Sequence, residues 1–255
     1  IEMNDVPAYL AYVNSLDMKF SRISVSHEDS ISYIAAEKQY MNSSYKQAIA
    51  GYRTYLNNYC PGGKYCTAAQ FYIADSYYRL EDYDQAFAEY QQLMRIPGNQ
   101  YMEEALTRSA EITYDQKRYG AALEYFEELI QIAQTSERKN IARLGVLRSS
   151  YQLKDYQKII GIVPDIVSDS KSGPEVLNEA RYYRAKAYIA TKEPDLALED
   201  LKWLATDTRT AIGAESKYLT AHIYFTQWKL DESEKEILDF AKKNTPFQYW
   251  LARSF

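Results

Sequence analysis

The chain has 255 residues, 46% hydrophobic and 25% charged, with nine Gly and seven Pro; this is enough apolar content for a core and fits neither a disordered segment nor a loop-rich β protein. A net charge of −5 and a pI near 5.3 offer no global field for DNA or RNA. No stretch approaches the roughly 20 apolar residues of a membrane span, and a chain that begins at Ile1 carries no information about a signal peptide.

In chain order, residues 1–29 read as an incomplete N-terminal helix and connector. Val6, Leu10, Val13 and Leu16 place one apolar face on a helix over 5–20, the second helix of a partial unit. Residues 21–29 read as a polar connector. From residue 30 to 255 one pattern recurs. Ala48, Ala86, Ala122, Ile159, Ala197 and Ser233 follow one another at intervals of 38, 36, 37, 38 and 36 residues. A period in this range signals stacked supersecondary units.

Each unit reads as two antiparallel helices. Arg181 to Ile189 carries apolar residues on one helical face; breaks such as Leu80-Glu81-Asp82-Tyr83 or Lys117-Arg118-Tyr119 follow the first helices. A second helix, such as Gly120 to Ala133, then begins. Pro61-Gly62, Pro97-Gly98, Gly173-Pro174 and Pro246 close units. The 26 tyrosines suit thin, half-wet cores and contact surfaces alike.

Cys60 and Cys66 bracket the loop Pro61-Gly62-Gly63-Lys64-Tyr65. The spacing fits a small-loop disulfide in an oxidising compartment and equally two free thiols at a helix end and a helix start. It does not fit a zinc site, which needs further His or Cys nearby.

The recurring small and aromatic positions are Ala74, Tyr77, Ala86 and Tyr90, then Ala110, Ala122 and Phe126. Ala185, Tyr188, Ala197 and Leu201 repeat them, as do Ala221, Tyr224, Ser233 and Ile237. This pattern resembles the tetratricopeptide repeat family over roughly residues 30–255. The resemblance implies an all-α, right-handed superhelical solenoid of about six helix pairs, with partial units at both ends. The unit of Tyr156, Ile159 and Val163 departs most, with Leu147 at its first small site, and is expected to pack more loosely. Tyr249 to Phe255 copies Phe71 to Tyr77, so the last repeat is truncated. The array is then expected to be a segment of a longer one, or Trp250 and Phe255 to pack against another chain, self-association included.

The stretch Tyr55 to Gly63, leading into Ala69 to Ala74, resembles the tetratricopeptide proteins of the bacterial cell envelope, of the outer-membrane assembly lipoprotein and Tol-associated periplasmic type. That resemblance implies a periplasmic or cell-envelope location, with the cytoplasm as the alternative. Cys60 departs from it by standing before Pro61, which would make sense if Cys60 pairs with Cys66.

In this family the first helices line the concave face. In register, Tyr33, Phe71, Thr107, Leu144, Tyr182 and Tyr218 form one column there; Tyr40, Tyr78, Tyr114, Tyr151, Ile189 and Phe225 form a second. Between them Glu37, Asp75, Glu111, Arg148, Lys186 and His222 run from acidic to ionisable or basic. Such a groove favours a peptide of opposite charge polarity, although aromatic columns at helical spacing also fit an inter-repeat core. Tyr33, Phe71, Glu37 and Asp75 stand where the family's carboxylate clamp needs Lys and Asn, which disfavours acidic C-termini as ligands.

Chemistry is sparse. Two histidines, His27 and His222, do not assemble a nucleophilic triad, and Gly62-Gly63 lacks the P-loop context. Glu103-Glu104 and Glu127-Glu128 point to different helix sides. The sequence therefore predicts a non-catalytic scaffold without cofactor or metal, binding a protein or peptide, with no nucleic acid and no transmembrane segment. The alternative is a sensor or regulatory module of a longer protein.

Overall fold

The computed structural model describes residues 25–255, which form thirteen α-helices and no strand among the described residues. Six successive helix pairs are α1 (Val25–Met41) with α2 (Tyr45–Tyr59), α3 (Cys66–Arg79) with α4 (Tyr83–Met94), and α5 (Met102–Asp115) with α6 (Tyr119–Ile132). They continue as α7 (Ser136–Leu153) with α8 (Tyr156–Ser168), α9 (Pro174–Ala190) with α10 (Pro194–Leu204), and α11 (Ala211–Thr226) with α12 (Leu230–Lys242). A short α13 (Gln248–Ser254) opens a seventh. The chain divides into two compact units between Ile112 and Thr113, inside α5. Within each unit consecutive helices pack on one another, as expected for an all-α repeat solenoid.

Within each unit the core falls into small clusters where consecutive helices meet, because a repeat buries its apolar face only against its neighbours. At its centre lie the recurring small residues. Ala48, Ala86, Ala122 and Ala197 are fully buried, as are their first-helix counterparts Ala74, Ala110 and Ala185. Ser233 keeps the pattern by donating its hydroxyl to the Ala221 carbonyl at 2.9 Å, so its polar atom does not go unsatisfied. Tyr52, Tyr90, Phe126, Val163 and Leu201, four residues further on, fill the space beside each contact and are buried.

The turn inside each pair repeats as faithfully as the core. Ser43, Glu81, Lys117, Lys154, Lys192 and Trp228 all have positive φ, between 58° and 65°, and each stands five residues before a recurring small residue. The next residue's N–H bonds the carbonyl five back: Ser44 to Gln39, Asp82 to Tyr77, Arg118 to Thr113, Asp155 to Ser150, Glu193 to Tyr188 and Lys229 to Tyr224. This closure is the left-handed Schellman stop of a helix, made six times without glycine. Asp82 and Asp155 then cap the second helix by accepting the N–H of Gln85 and Lys158. Tyr40, Tyr78, Tyr114 and Tyr151 pack edge-on against Tyr45, Tyr83, Tyr119 and Tyr156 across the same turn, with centroids 5.3–6.4 Å apart.

Several expectations meet a definite outcome. The helix expected over 5–20 lies outside the described residues. The polar connector expected over 21–29 is shorter, since α1 already begins at Val25. Asp29 belongs to the helix and is buried, because its carboxylate accepts the Lys64 N–H at 2.9 Å. The expected loose fourth pair has Leu147 and Ile159 both fully buried in one cluster with Val163 and Ile166; two large side chains meet where two alanines meet elsewhere. Gly145 clears the way beside it, since a Cβ there would stand 2.5 Å from the Phe126 ring. Cys60 and Cys66 are disulfide-bonded, with Cα atoms 5.7 Å apart. Trp250 finds a partner in its own chain, stacking on Tyr218 at 5.4 Å, while Phe255 is 81% exposed.

Candidate functional site

Measured from the first-helix small residue of each repeat, the polar column is the next position and the second aromatic column lies four residues on. These two positions, with a third six residues before the small residue, account for most of the ionic contacts on this face.

In the first unit, two acids at the polar position, Asp75 and Glu111, are taken by tyrosine from the preceding repeat. The Tyr40 hydroxyl donates to Asp75, and Arg79, one turn further along α3, donates to the same carboxylate oxygen at 2.6 Å and to the Tyr40 oxygen at 2.9 Å. Asp75 is 5% exposed. Burial, and then the hydrogen bond to Asp75, pushes the Tyr40 hydroxyl well above its ordinary pKa. One repeat later, Glu111 accepts from Arg108 at 2.9 Å and from Tyr78 at 3.5 Å, and the Arg108 guanidinium lies 4.6 Å over the Tyr78 ring. Phe71, from the first aromatic column, stacks on Tyr101 at 4.2 Å.

In the second unit the polar position is basic and its partner is an acid on the following first helix. Arg148 makes a bidentate pair with Glu179, at 2.6 and 2.7 Å, and Lys186 pairs with Glu215 at 2.8 Å. Tyr182 donates to the same Glu215 at 2.8 Å. Burial, with Glu179 close by, pushes the neighbouring Tyr183 hydroxyl up to about 12. His222 is exposed and stacks on Tyr218 at 5.6 Å; Phe225 is 60% exposed.

The acidic-to-basic column is thus not a row of free charges. Asp75, Glu111, Arg148 and Lys186 all hold a partner inside the chain. Their partners Arg79, Arg108, Glu179 and Glu215 were not singled out by column reading, although a signal exists: Glu179 and Glu215 stand six residues before Ala185 and Ala221. The aromatic columns split by burial. Tyr33, Thr107 and Tyr218 belong to the core, whereas Phe71, Tyr40, Tyr78, Tyr114, Tyr151 and Tyr182 are half-buried and keep part of the ring toward solvent.

Within the second helices a further set of acids faces inward. Asp200, 1% exposed, holds both Arg181 (2.8 Å) and Arg184 (2.6 and 2.7 Å). Glu89 at the matching position holds Arg53 at 3.0 Å and Gln70 at 2.7 Å. These clamps fix helix against helix.

The first unit also contains a cavity of about 720 Å³ lined by Tyr33, Glu37, Lys64, Tyr65, Tyr72 and Tyr101 among others. Among the described residues no group of three or more His, Cys, Asp or Glu gathers as a metal site, and no helix is long and apolar enough to cross a membrane.

No protein-family model matches the chain. No curated protein matches it either. Solved structures do. The C-terminal part of a TPR repeat-containing protein from Cytophaga hutchinsonii aligns with a TM-score of 0.63 at 15% identity, covering 98% of this chain and 95% of that one. PilW, a widely conserved type IV pilus biogenesis factor, aligns at 0.51 and 15% identity over 88% of this chain and 96% of its own. YrrB, a TPR protein with an unusual peptide-binding site, aligns at 0.51 and 14% identity over 75% of this chain and 89% of its own. The helix pairs, the buried small-residue contacts and these alignments agree: the chain has the tetratricopeptide-repeat fold.

Proposed function

We propose that the chain is a non-catalytic scaffold that binds a peptide or protein segment on the first-helix faces of its repeats. The observation that carries this is the state of the second aromatic column. Tyr40, Tyr78, Tyr114 and Tyr151 each have one edge fixed by the turn tyrosine behind it, so the rings are held rigid while part of each remains open. Rigid, half-exposed tyrosines give large contact area at low entropic cost, the usual composition of a recognition surface. The peptide-binding site of YrrB, a protein of the same fold, supports the reading.

Panning a random-peptide library against the chain tests it. Selected peptides are expected to bind at least about tenfold more weakly to Tyr78→Ala or Phe225→Ser, which truncate half-open or exposed rings. Binders indifferent to both variants, or no binders at all, would overturn it.

An envelope location is part of the same proposal. A disulfide between the chain's two cysteines suits an oxidising compartment, and the sequence resemblance to envelope proteins points the same way. Thiol labelling of the protein from its native cell, trapped before lysis, should find both cysteines blocked; two free thiols would refute it. Exposed Tyr249 and Phe255 offer a surface for self-association, which sedimentation of Phe255→Ser against the parent chain would reveal.

A further inference from the structure

Five of the six residues in the polar column have a partner or a stacking contact; Glu37 has neither a hydrogen bond nor an ion pair among the described residues. The register explains why. Asp75 is served by Arg79 four residues on, and Glu111 by Arg108 three residues back. The matching positions around Glu37 are Met41 and Ile34, neither of which can donate. Arg148 and Lys186 are served by an acid six residues before the next small residue. For Glu37 that place is held by Ala68, an uncharged residue where the repeats after Arg148 and Lys186 carry Glu179 and Glu215. Instead of a partner there is space: Glu37 and Ala68 both line the cavity of about 720 Å³.

Four tyrosines share the rest of the lining with Ile34, Thr67 and the Gly98-Asn99-Gln100 turn. Tyr33 and Tyr65 stack at 4.4 Å and form one side, and Tyr72 and Tyr101 line the same cavity. Tyr33, Tyr52 and Tyr72 all feel the Glu37 charge, each with its hydroxyl pKa raised first by burial. One cation stands at the rim. Lys64 lies 5.2 Å over the Tyr65 ring and makes no ion pair with Glu37. A carboxylate with no hydrogen bond or ion pair among the described residues, set beside tyrosine rings, is an arrangement that takes a cation, by ion pairing and by cation–π attraction together.

We propose that this cavity is the specificity pocket of the scaffold and seats a lysine or arginine side chain of the bound segment, with the cation against Glu37 and its stem on half-buried Tyr72. This rests on the peptide-binding reading above and adds the chemistry of one ligand residue to it. The incoming cation would supply to Glu37 what Arg79 supplies to Asp75.

The test uses two capped tripeptides, acetyl-Gly-Arg-Gly-amide and its citrulline twin, which has nearly the same shape without the charge. Both are titrated into the whole chain carrying ring-labelled tyrosine, observed by NMR. The arginine peptide is expected to shift the Tyr33, Tyr65, Tyr72 and Tyr101 signals saturably, and the citrulline peptide to bind about tenfold more weakly. Glu37→Gln should cause the same loss without changing the thermal midpoint. No saturable shift, equal affinity for citrulline, or undiminished binding by Glu37→Gln would each overturn the proposal. If these fail while library peptides still weaken on Phe225→Ser, the cation pocket falls and the scaffold remains. If library panning fails and the arginine titration succeeds, the pocket stands and the extended binding face falls.

Discussion

The hydroxyl of Tyr40 and the carboxylate of Asp75, 35 residues apart in sequence, share a hydrogen bond that ties the first helix of one repeat to the first helix of the next. Arg79 bonds both groups, so the three form a closed triangle around the Asp75 Oδ2 atom. Asp75→Ala is expected to cost about 2–3 kcal/mol, and Tyr40→Phe about 1 kcal/mol. The double variant should cost less than the sum, because the second change removes a bond already lost. Urea unfolding of the three variants measures this; strict additivity would show that the triangle is not a unit.

Asp200 presents a harsher case. Both Arg181 and Arg184 depend on it, and its own side chain is almost wholly enclosed. Removing it leaves two largely dehydrated guanidinium groups with no compensating charge, so Asp200→Ala should destabilise by about 3–5 kcal/mol. Removing one arginine should cost less, since the other still holds the carboxylate. Equilibrium denaturation of Asp200→Ala, Arg181→Ala and Arg184→Ala checks the order.

Lys192 ends α9 in the left-handed region at φ 65°, is exposed, and contributes only its backbone to the turn. A side chain there carries a steric cost that glycine avoids. Lys192→Gly should therefore raise stability by about 0.5–1 kcal/mol, and Lys192→Val, β-branched in the same conformation, should lower it. A lower thermal midpoint for the glycine variant would contradict the turn assignment.

Tyrosine burial sets the alkaline limit. Tyr33, Tyr52, Tyr90 and Tyr182 are held above their ordinary pKa, in each case mainly by desolvation. The native state keeps these protons where the unfolded chain releases them, so the stability they contribute is complete below about pH 10 and lost as pH rises beyond it. Each such group adds about 1.4 kcal/mol per pH unit to the slope. Phenolate absorbance and helical circular dichroism should change together in one steep transition above pH 10. Tyrosine ionisation well ahead of unfolding would argue against this.

The acid limit follows from Asp239, whose carboxyl is held below its usual range chiefly by the hydrogen bond from Lys217. Its contribution is present above about pH 4 and fades as pH falls through the lowered native value. The acid midpoint should move to higher pH in Lys217→Met; an unchanged midpoint would remove Asp239 from the account.

Much of the fold was legible in the chain because it is local. The spacing of Ala48, Ala86, Ala122, Ile159, Ala197 and Ser233 follows from helix length and turn geometry, both set within one repeat. The positive-φ residues from Ser43 to Trp228 keep the same spacing for that reason. Even Ile159 and Leu147, which break the small-residue rule, reveal by their size that they meet each other.

What the columns do was decided in three dimensions. Glu37, Asp75, Glu111, Arg148, Lys186 and His222 read as one graded row of charge, yet the charge each presents depends on side chains one repeat away or one turn along its own helix. Arg79 and Arg108 answer Asp75 and Glu111, and Glu179 and Glu215 answer Arg148 and Lys186. Cys60 and Cys66 likewise allowed a bridge or two thiols until the backbone placed their Cα atoms 5.7 Å apart. The sequence by itself determined the period, the helix pairs and the turns, since these rest on contacts within a few residues. Only the tertiary structure decided which charges are spent on holding repeats together and which, like Glu37, have no ion pair among the described residues, because that depends on side chains a whole repeat away or a turn along the helix.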